Sequence, residues 1–256
     1  MDPVSDPSGE DLQKIVDGLK RTHRLEMEVE VHLSAEPFVL GKTVRDGDVY
    51  RIYLSEAEPY PLLHEFYHVL AEERILKNHI GSGCGFCTKI VLEMQNTIVD
   101  LAIEKAIRQT GHDFFPAYFP RIQDNLGLME RCGVIYFDPT RTVAYNLYLE
   151  TAIRELYPHL KRDYDFWRRI ELSEELKDRV ESALEIAGRF VRKGRLGWKD
   201  ITGATVDLSW AIFEADVMLM ESRDEYRILC NTDHQNAQRT VSEMVGRLKK
   251  LSLDRR

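Results

Sequence analysis

The sequence lacks the features of several large classes of protein. It has no apolar run of transmembrane length, and its first residues, MDPVSDPSGEDL, are polar where a secretory signal requires an apolar segment. Acidic residues outnumber basic ones by 43 to 35, so the net charge of -8 provides no general attraction for nucleic acid. We find no P-loop, dinucleotide-binding fingerprint or internal repeat. We therefore expect a cytoplasmic protein that binds neither membranes nor nucleic acid.

Cysteine is also scarce, with four residues in a chain of 256. Cys84 and Cys87 form a C-G-F-C motif in a glycine-rich stretch, whereas Cys132 and Cys230 stand alone. The motif has three interpretations: a local disulfide or redox pair, half of a structural zinc site, or ordinary free thiols. A four-cysteine zinc site would have to include Cys132 and Cys230, because there is no second C-x-x-C. A disulfide would be unusual in the reducing cytosol.

The most informative stretch is PLLHEFYHVLAEE, at residues 61–73, which contains an H-E-x-x-H motif. On a helix, His64 and His68 lie one turn apart on the same face, so both imidazoles can bind one metal ion. Glu65 flanks that position, where a carboxylate can act as the base that activates water. The alternative is a core helix whose histidines bond to backbone or carboxylate groups, but that alternative leaves Glu65 unexplained.

A catalytic zinc needs a third protein ligand and one open position. A long helix is predicted at about residues 89–110, with Gly111 as its C-terminal cap. Polar residues three or four positions apart form one stripe on it: Glu93, Asn96, Asp100 and Glu104. This stripe contains the candidates for the third ligand, unless it is simply the solvated face of an amphipathic helix.

HEFYH followed by QNTIVDLAIE resembles the zincin superfamily of metallopeptidases, on its gluzincin-like side, over residues 25–110. The resemblance implies a zinc ion (Zn2+) bound by His64, His68 and Asp100. It also implies Glu65 as the catalytic base. In that group the second motif is commonly E-x-x-x-D, whereas here the two acids are exchanged. Glu104 is therefore either the acid that supports a histidine from outside the ligand set or the alternative third ligand.

The expected fold class is α+β and zincin-like. Alternation of apolar and acidic residues over 25–33 predicts a strand, and Asp46-Gly47 predicts a hairpin within 38–55. We expect a small, mostly antiparallel sheet beside the H-E-x-x-H helix and the ligand helix. The resemblance implies that residues 48–55 form the edge strand that pairs with a peptide substrate. The predicted units are a metal-binding subdomain at 1–111 and a mainly helical subdomain at 112–256.

The second half of the chain has weaker patterns. Residues 112–139 are rich in Phe, Pro and Gly and predict an irregular segment whose aromatic residues fill the core. Helices are predicted within 142–170, over 173–193 with Ser173 as N-cap, and within 198–228. The helix within 198–228 is expected to place Trp210, Ile212, Phe213 and Met218 in the core. A last helix follows a capping box formed by Thr232 and Gln235.

These patterns together predict a zinc-dependent metallopeptidase that acts on a peptide or protein. Two alternatives remain: an amide hydrolase with a non-peptide substrate, and a catalytically inert zinc-bound protein that binds a partner. A tetrahedral intermediate would also need a donor for its oxyanion. The sequence offers four candidates without choosing among them: Tyr136, Tyr145, His112 and Arg51.

Overall fold

The fold is α+β, as predicted. A computed structural model describes residues 9–34, 40–76, 78–80, 84–111, 115–131, 138–161, 164, 166–193, 197–221, 225–230 and 235–253. The described strands are β1 (Glu28–Leu33), β2 (Gly41–Asp46), β3 (Val49–Leu54), β4 (Asn78–Ile80), β5 (Val217–Glu221) and β6 (Glu225–Cys230). The described helices are α1 (Gly9–His23), α2 (Pro59–Arg74), α3 (Gly85–Gln109), α4 (Phe115–Arg131), α5 (Pro139–Glu155), α6 (Phe166–Arg169), α7 (Glu174–Arg192), α8 (Trp198–Phe213) and α9 (Gln235–Leu253). None of these helices combines the length and the apolar character needed to cross a membrane.

The chain forms two compact units. The first unit comprises Met1–Leu76 and Ile107–Phe119, and the second comprises Lys77–Ala106 and Pro120–Arg256. The division at residue 111 that we inferred from the sequence stays a prediction.

The first unit is built on a three-stranded sheet with the order β1-β3-β2. Every second residue of β3 is buried, as the apolar alternation requires, and these residues pack with α1 and α2. Members of this core include Tyr50, Ile52, Leu54, Leu62, Phe66 and Val69. Its burial holds α2, and with it the H-E-x-x-H motif, against the sheet.

The sheet differs from the expectation in two respects. It is mixed, because β1 runs parallel to β3 while β2 is antiparallel to it. The assignment of residues 48–55 as the edge strand was wrong, since β3 is the central strand and pairs on both sides. Its backbone groups are already used by β1 and β2, so it cannot pair with a substrate. The strand next to α2 that lies at an edge of this sheet is β2.

The second unit contains the other described sheet, with the order β4-β6-β5. In this sheet β4 is parallel to β6, and β5 is antiparallel to it. Helix α7 packs against α5 and α8, and α9 contacts both α5 and α8. The predicted cap of α7 is confirmed, because the Ser173 hydroxyl accepts a hydrogen bond from the amide of Leu176 at 3.4 Å.

Two predictions in the second half of the chain were wrong. Residues 115–131 form α4, not an irregular segment. Its buried residues Phe115, Tyr118, Phe119 and Ile122 follow the helical spacing, but the prolines obscure that pattern. The aromatic residues among them do fill the core, as predicted.

The other error concerns two core residues within 198–228, where α8 confirms the predicted helix and Ile212 and Phe213 are buried as expected. The helix ends at Phe213, where Glu214 adopts a left-handed conformation with φ of 53°. The chain then continues as the β5–β6 pair. Trp210 and Met218, expected in the core, are 57% and 48% exposed. Met218 and Met220 are exposed, whereas Val217 is buried and Leu219 half-buried, which is the period-two pattern of a strand.

Candidate metal centre

The two histidines of the motif lie side by side on α2. The Nε2 atoms of His64 and His68 are 3.3 Å apart, because residues four positions apart meet on one face of a helix. Two nitrogens bound to one tetrahedral zinc at about 2.0 Å are separated by about 3.3 Å. Both side chains are half-buried. The pair therefore has the separation needed to bind one ion without a change of backbone.

The carboxylate of Glu65 is held by strand β2. Its Oε2 atom accepts a hydrogen bond from the Thr43 hydroxyl at 2.8 Å, and that hydroxyl also lies 3.1 Å from the Glu65 carbonyl oxygen. Glu65 is 8% exposed. A buried carboxylate is costly without hydrogen bonds, so Thr43 stabilises this orientation.

Gly41 provides the space for the same carboxylate. A Cβ atom at position 41 would lie 2.8 Å from Cγ of Glu65 and 3.0 Å from Oε1. Gly41 and Thr43 are two positions apart on β2 and therefore face the same side of the sheet. Together they fix where the Glu65 carboxylate lies. Sequence reasoning missed both residues, because their contacts join elements more than 20 positions apart.

Aromatic residues support the start of α2. The helix begins at Pro59, and proline suits a first helical turn because the amide it lacks would have no partner within the helix. The Tyr60 ring stacks on Tyr118 at 4.9 Å and lies 6.2 Å from the ring of His64. The Tyr118 hydroxyl donates a hydrogen bond to Glu58, directly before the helix. These contacts limit the orientations open to the His64 imidazole.

The predicted third ligand, Asp100, lies on α3 and is half-buried. Asp100 belongs to the second unit and offers one carboxylate oxygen as a ligand atom, whereas His64 and His68 belong to the first unit and offer one ring nitrogen each. Two imidazoles and one carboxylate are a donor set that catalytic zinc uses, with one position left for water or substrate.

Glu104, one helical turn further along α3, has a different environment. Its side chain is fully buried, and its carboxylate accepts hydrogen bonds from the hydroxyls of Tyr157 at 2.7 Å and Tyr148 at 3.5 Å. It does not belong to either potential metal-binding group found among the described residues. These contacts favour Asp100 over Glu104 as the ligand. The hydroxyls of Tyr148, on α5, and Tyr157, just after α5, already hydrogen-bond to the Glu104 carboxylate.

Burial and nearby charges also shift the pKa values of two other candidate site residues, Tyr145 and Glu93. Burial raises the pKa of Tyr145, and the negative charge of Asp100 raises it further. Tyr145 therefore keeps its proton at neutral pH and can act as a hydrogen-bond donor. Burial likewise raises the pKa of Glu93, although the positive charge of Arg141 opposes this effect.

The remaining oxyanion candidates divide into two cases. Arg51 donates to Glu30 at 3.0 Å and is also ion-paired with Asp46, both on the same sheet. Its neighbours Tyr50 and Ile52 are buried on the opposite face, toward α2. Arg51 is thus directed away from the motif. Tyr136 and His112 lie outside the described residues.

Comparison of the chain with protein-family models, with curated proteins and with solved structures gave no match.

Proposed function

We propose that the protein is a zinc-dependent hydrolase of peptide bonds, in which His64, His68 and Asp100 bind the metal ion and Glu65 is the catalytic base. The observation that carries this proposal is the H-E-x-x-H geometry of α2. Its two Nε2 atoms are 3.3 Å apart, and the intervening carboxylate is held by a hydrogen bond from Thr43. A helix whose histidines served only the core would not need that carboxylate to be positioned.

The donor set supports zinc in particular. Zinc takes imidazole nitrogen and carboxylate oxygen in tetrahedral sites, whereas magnesium and calcium prefer an all-oxygen environment. The half-burial of the three residues is consistent with a centre that water and substrate can reach. When bound, the ion would supply a lowered pKa for water and polarise the carbonyl of the substrate.

Glu65 would carry out the proton transfers. Its carboxylate accepts the proton of the attacking water and then passes it to the leaving nitrogen of the cleaved bond. Thr43 fixes Oε2 by its hydrogen bond at 2.8 Å, and Gly41 allows Cγ to approach the strand closely. Tyr145, which keeps its proton, is the donor that we assign to the oxyanion of the intermediate.

A peptide substrate is favoured by strand β2. It lies at an edge of the three-stranded sheet and, within the described part of the chain, pairs with β3 alone. An extended peptide can therefore add to β2 through main-chain hydrogen bonds. Because β2 also contacts Glu65, a peptide bound there would pass next to the proposed base.

The proposal is tested with Glu65→Gln, assayed on casein and on a peptide library beside the wild type. We expect the variant to bind zinc as the wild type does and to cleave neither substrate, since an amide cannot accept the proton. Glu72→Gln, an exposed position on the same helix, is the matched control and should retain activity.

Equal cleavage by wild type and Glu65→Gln would show that Glu65 is not the base. A wild type that hydrolyses small amides but not peptides would establish the alternative of a non-peptide substrate. A zinc-loaded wild type inactive on every amide would instead establish the inert, partner-binding alternative.

A further inference from the structure

A second group of potential metal ligands lies wholly within the second unit. It consists of Cys84, Cys87 and Cys230. The C-G-F-C pair precedes and opens α3, and Cys230 is the last residue of β6. None of the three is in a disulfide. The proposed hydrolase centre uses none of them.

Strand pairing explains why these cysteines meet. Strand β4 runs parallel to β6, with Ile80 opposite Arg227, so both strands end at the same edge of the sheet. The C-G-F-C motif follows β4 by a few residues, and Cys230 follows Arg227 by three. Residues far apart in sequence are thus brought to one place by the topology, in the same way that loops at the ends of parallel strands meet.

The distances between the sulfur atoms match a site for a single ion. The three Sγ atoms lie within 4.8 Å of one another. Thiolates bound to one tetrahedral zinc at about 2.3 Å have sulfurs about 3.8 Å apart, a separation that small side-chain rotations can reach from here. In an iron–sulfur cluster of four irons each thiolate binds a different iron, which holds the sulfurs further apart.

The backbone around Cys84 also favours a thiolate. Its Sγ atom accepts a hydrogen bond from the amide of Cys87 at 3.4 Å, at the first turn of the 25-residue helix α3. Amide donors and the positive end of a helix both stabilise negative sulfur. Cys87 is 2% exposed, so it is protected from solvent and oxidants.

We propose that Cys84, Cys87 and Cys230 bind one zinc ion as thiolates, in a site separate from the proposed hydrolase centre. The ion would cross-link the start of α3 to the end of β6. Since it joins residues distant in sequence within one unit, it would stabilise the folded state relative to the unfolded chain.

The proposal is tested by cobalt titration of a His64→Ala/His68→Ala variant under reducing conditions, so that the proposed hydrolase centre does not contribute. We expect thiolate-to-cobalt absorption in the near ultraviolet that saturates at one cobalt per chain and is removed by one equivalent of zinc. Adding Cys230→Ser to this background should abolish that absorption.

A measurement on the wild type tests the proposal even if the Cys230→Ser variant does not fold. Zinc should protect Cys84, Cys87 and Cys230 from alkylation, as read by mass spectrometry, and a chelator should remove the protection and lower the melting temperature. The proposal is overturned if the three thiols react equally fast with and without zinc. It is also overturned if the cobalt absorption is absent, or if the anaerobically purified protein contains iron and sulfide at these cysteines.

Discussion

Gly41→Ala tests whether strand β2 positions the proposed base. The new Cβ atom would lie 2.8 Å from Cγ of Glu65, closer than real Cβ contacts, and 3.2 Å from Cδ, tighter than most of them. Gly41 has an ordinary strand conformation, so alanine introduces no backbone strain there. The overlap is therefore relieved by displacing the Glu65 side chain, which breaks its hydrogen bond with Thr43.

The size of the effect follows from these contacts. A displacement of about 1 Å at a catalytic group costs about 100-fold in rate, equivalent to about 2.7 kcal/mol of transition-state stabilisation. Loss of a hydrogen bond to a charged group costs about 1.5–3 kcal/mol of stability, and alanine offsets about 0.4–1 kcal/mol of this by restricting the unfolded chain. We expect a folded variant, destabilised by about 1–2 kcal/mol, whose kcat/KM is about 100-fold lower.

The assay measures kcat/KM on a peptide substrate, zinc affinity and the free energy of unfolding in urea. Zinc affinity should be unchanged, because the three heavy atoms nearest the new Cβ all belong to Glu65 and none belongs to a proposed zinc ligand. Gly203→Ala, on α8 with no atom within 4 Å of the new Cβ, is the control and should leave activity unchanged. A folded Gly41→Ala protein with wild-type kcat/KM would refute the role of β2 in placing Glu65.

Two further predictions concern the metal and the acid stability. Asp100→Ala should lose zinc. Glu104→Gln keeps a hydrogen-bond partner for Tyr157 and should weaken zinc binding only by about 10–100-fold. The reverse order of zinc affinities in titrations would transfer the ligand role to Glu104. Hydrogen bonds from Arg154 hold the pKa of Glu181 below its usual range. This pair therefore stabilises the fold above the unfolded-state pKa of about 4.3, and the contribution is lost as the pH falls through the folded-state value. Since Glu181 is 63% exposed, Glu181→Gln should cost at most about 0.5 kcal/mol at neutral pH and nothing in acid, as measured by urea denaturation at both pH values.

Features set by neighbouring residues could be predicted from the sequence. The Asp46-Gly47 pair identified the hairpin of β2 and β3, and Gly111, with φ of 84°, ends its helix as predicted. The spacing of His64 and His68 likewise fixed their relation on α2. In each case the signal lies within a few positions of the residue it describes, so one local pattern was enough.

Features set by pairing between distant segments could not be predicted. The order β1-β3-β2 made β3 central, although its own sequence is equally suited to an edge. Thr43 has no motif that marks it as the partner of Glu65, because their contact depends on how β2 lies against α2. Cys230 appeared isolated until the parallel pairing of β4 with β6 brought it to the C-G-F-C motif.

The turn between β2 and β3 has a consequence beyond the hairpin itself. Gly47 adopts a φ of 62°, which permits the two-residue connection that places Asp46 opposite Val49 and Thr43 opposite Ile52. A slip of one residue would rotate every β2 side chain to the other face, so that Lys42 and Val44 would meet Glu65. Gly47, at the tip of the hairpin and remote from any reacting group, thus determines whether the Glu65 carboxylate lies beside the Thr43 hydroxyl or beside the aliphatic carbons of Lys42 and Val44.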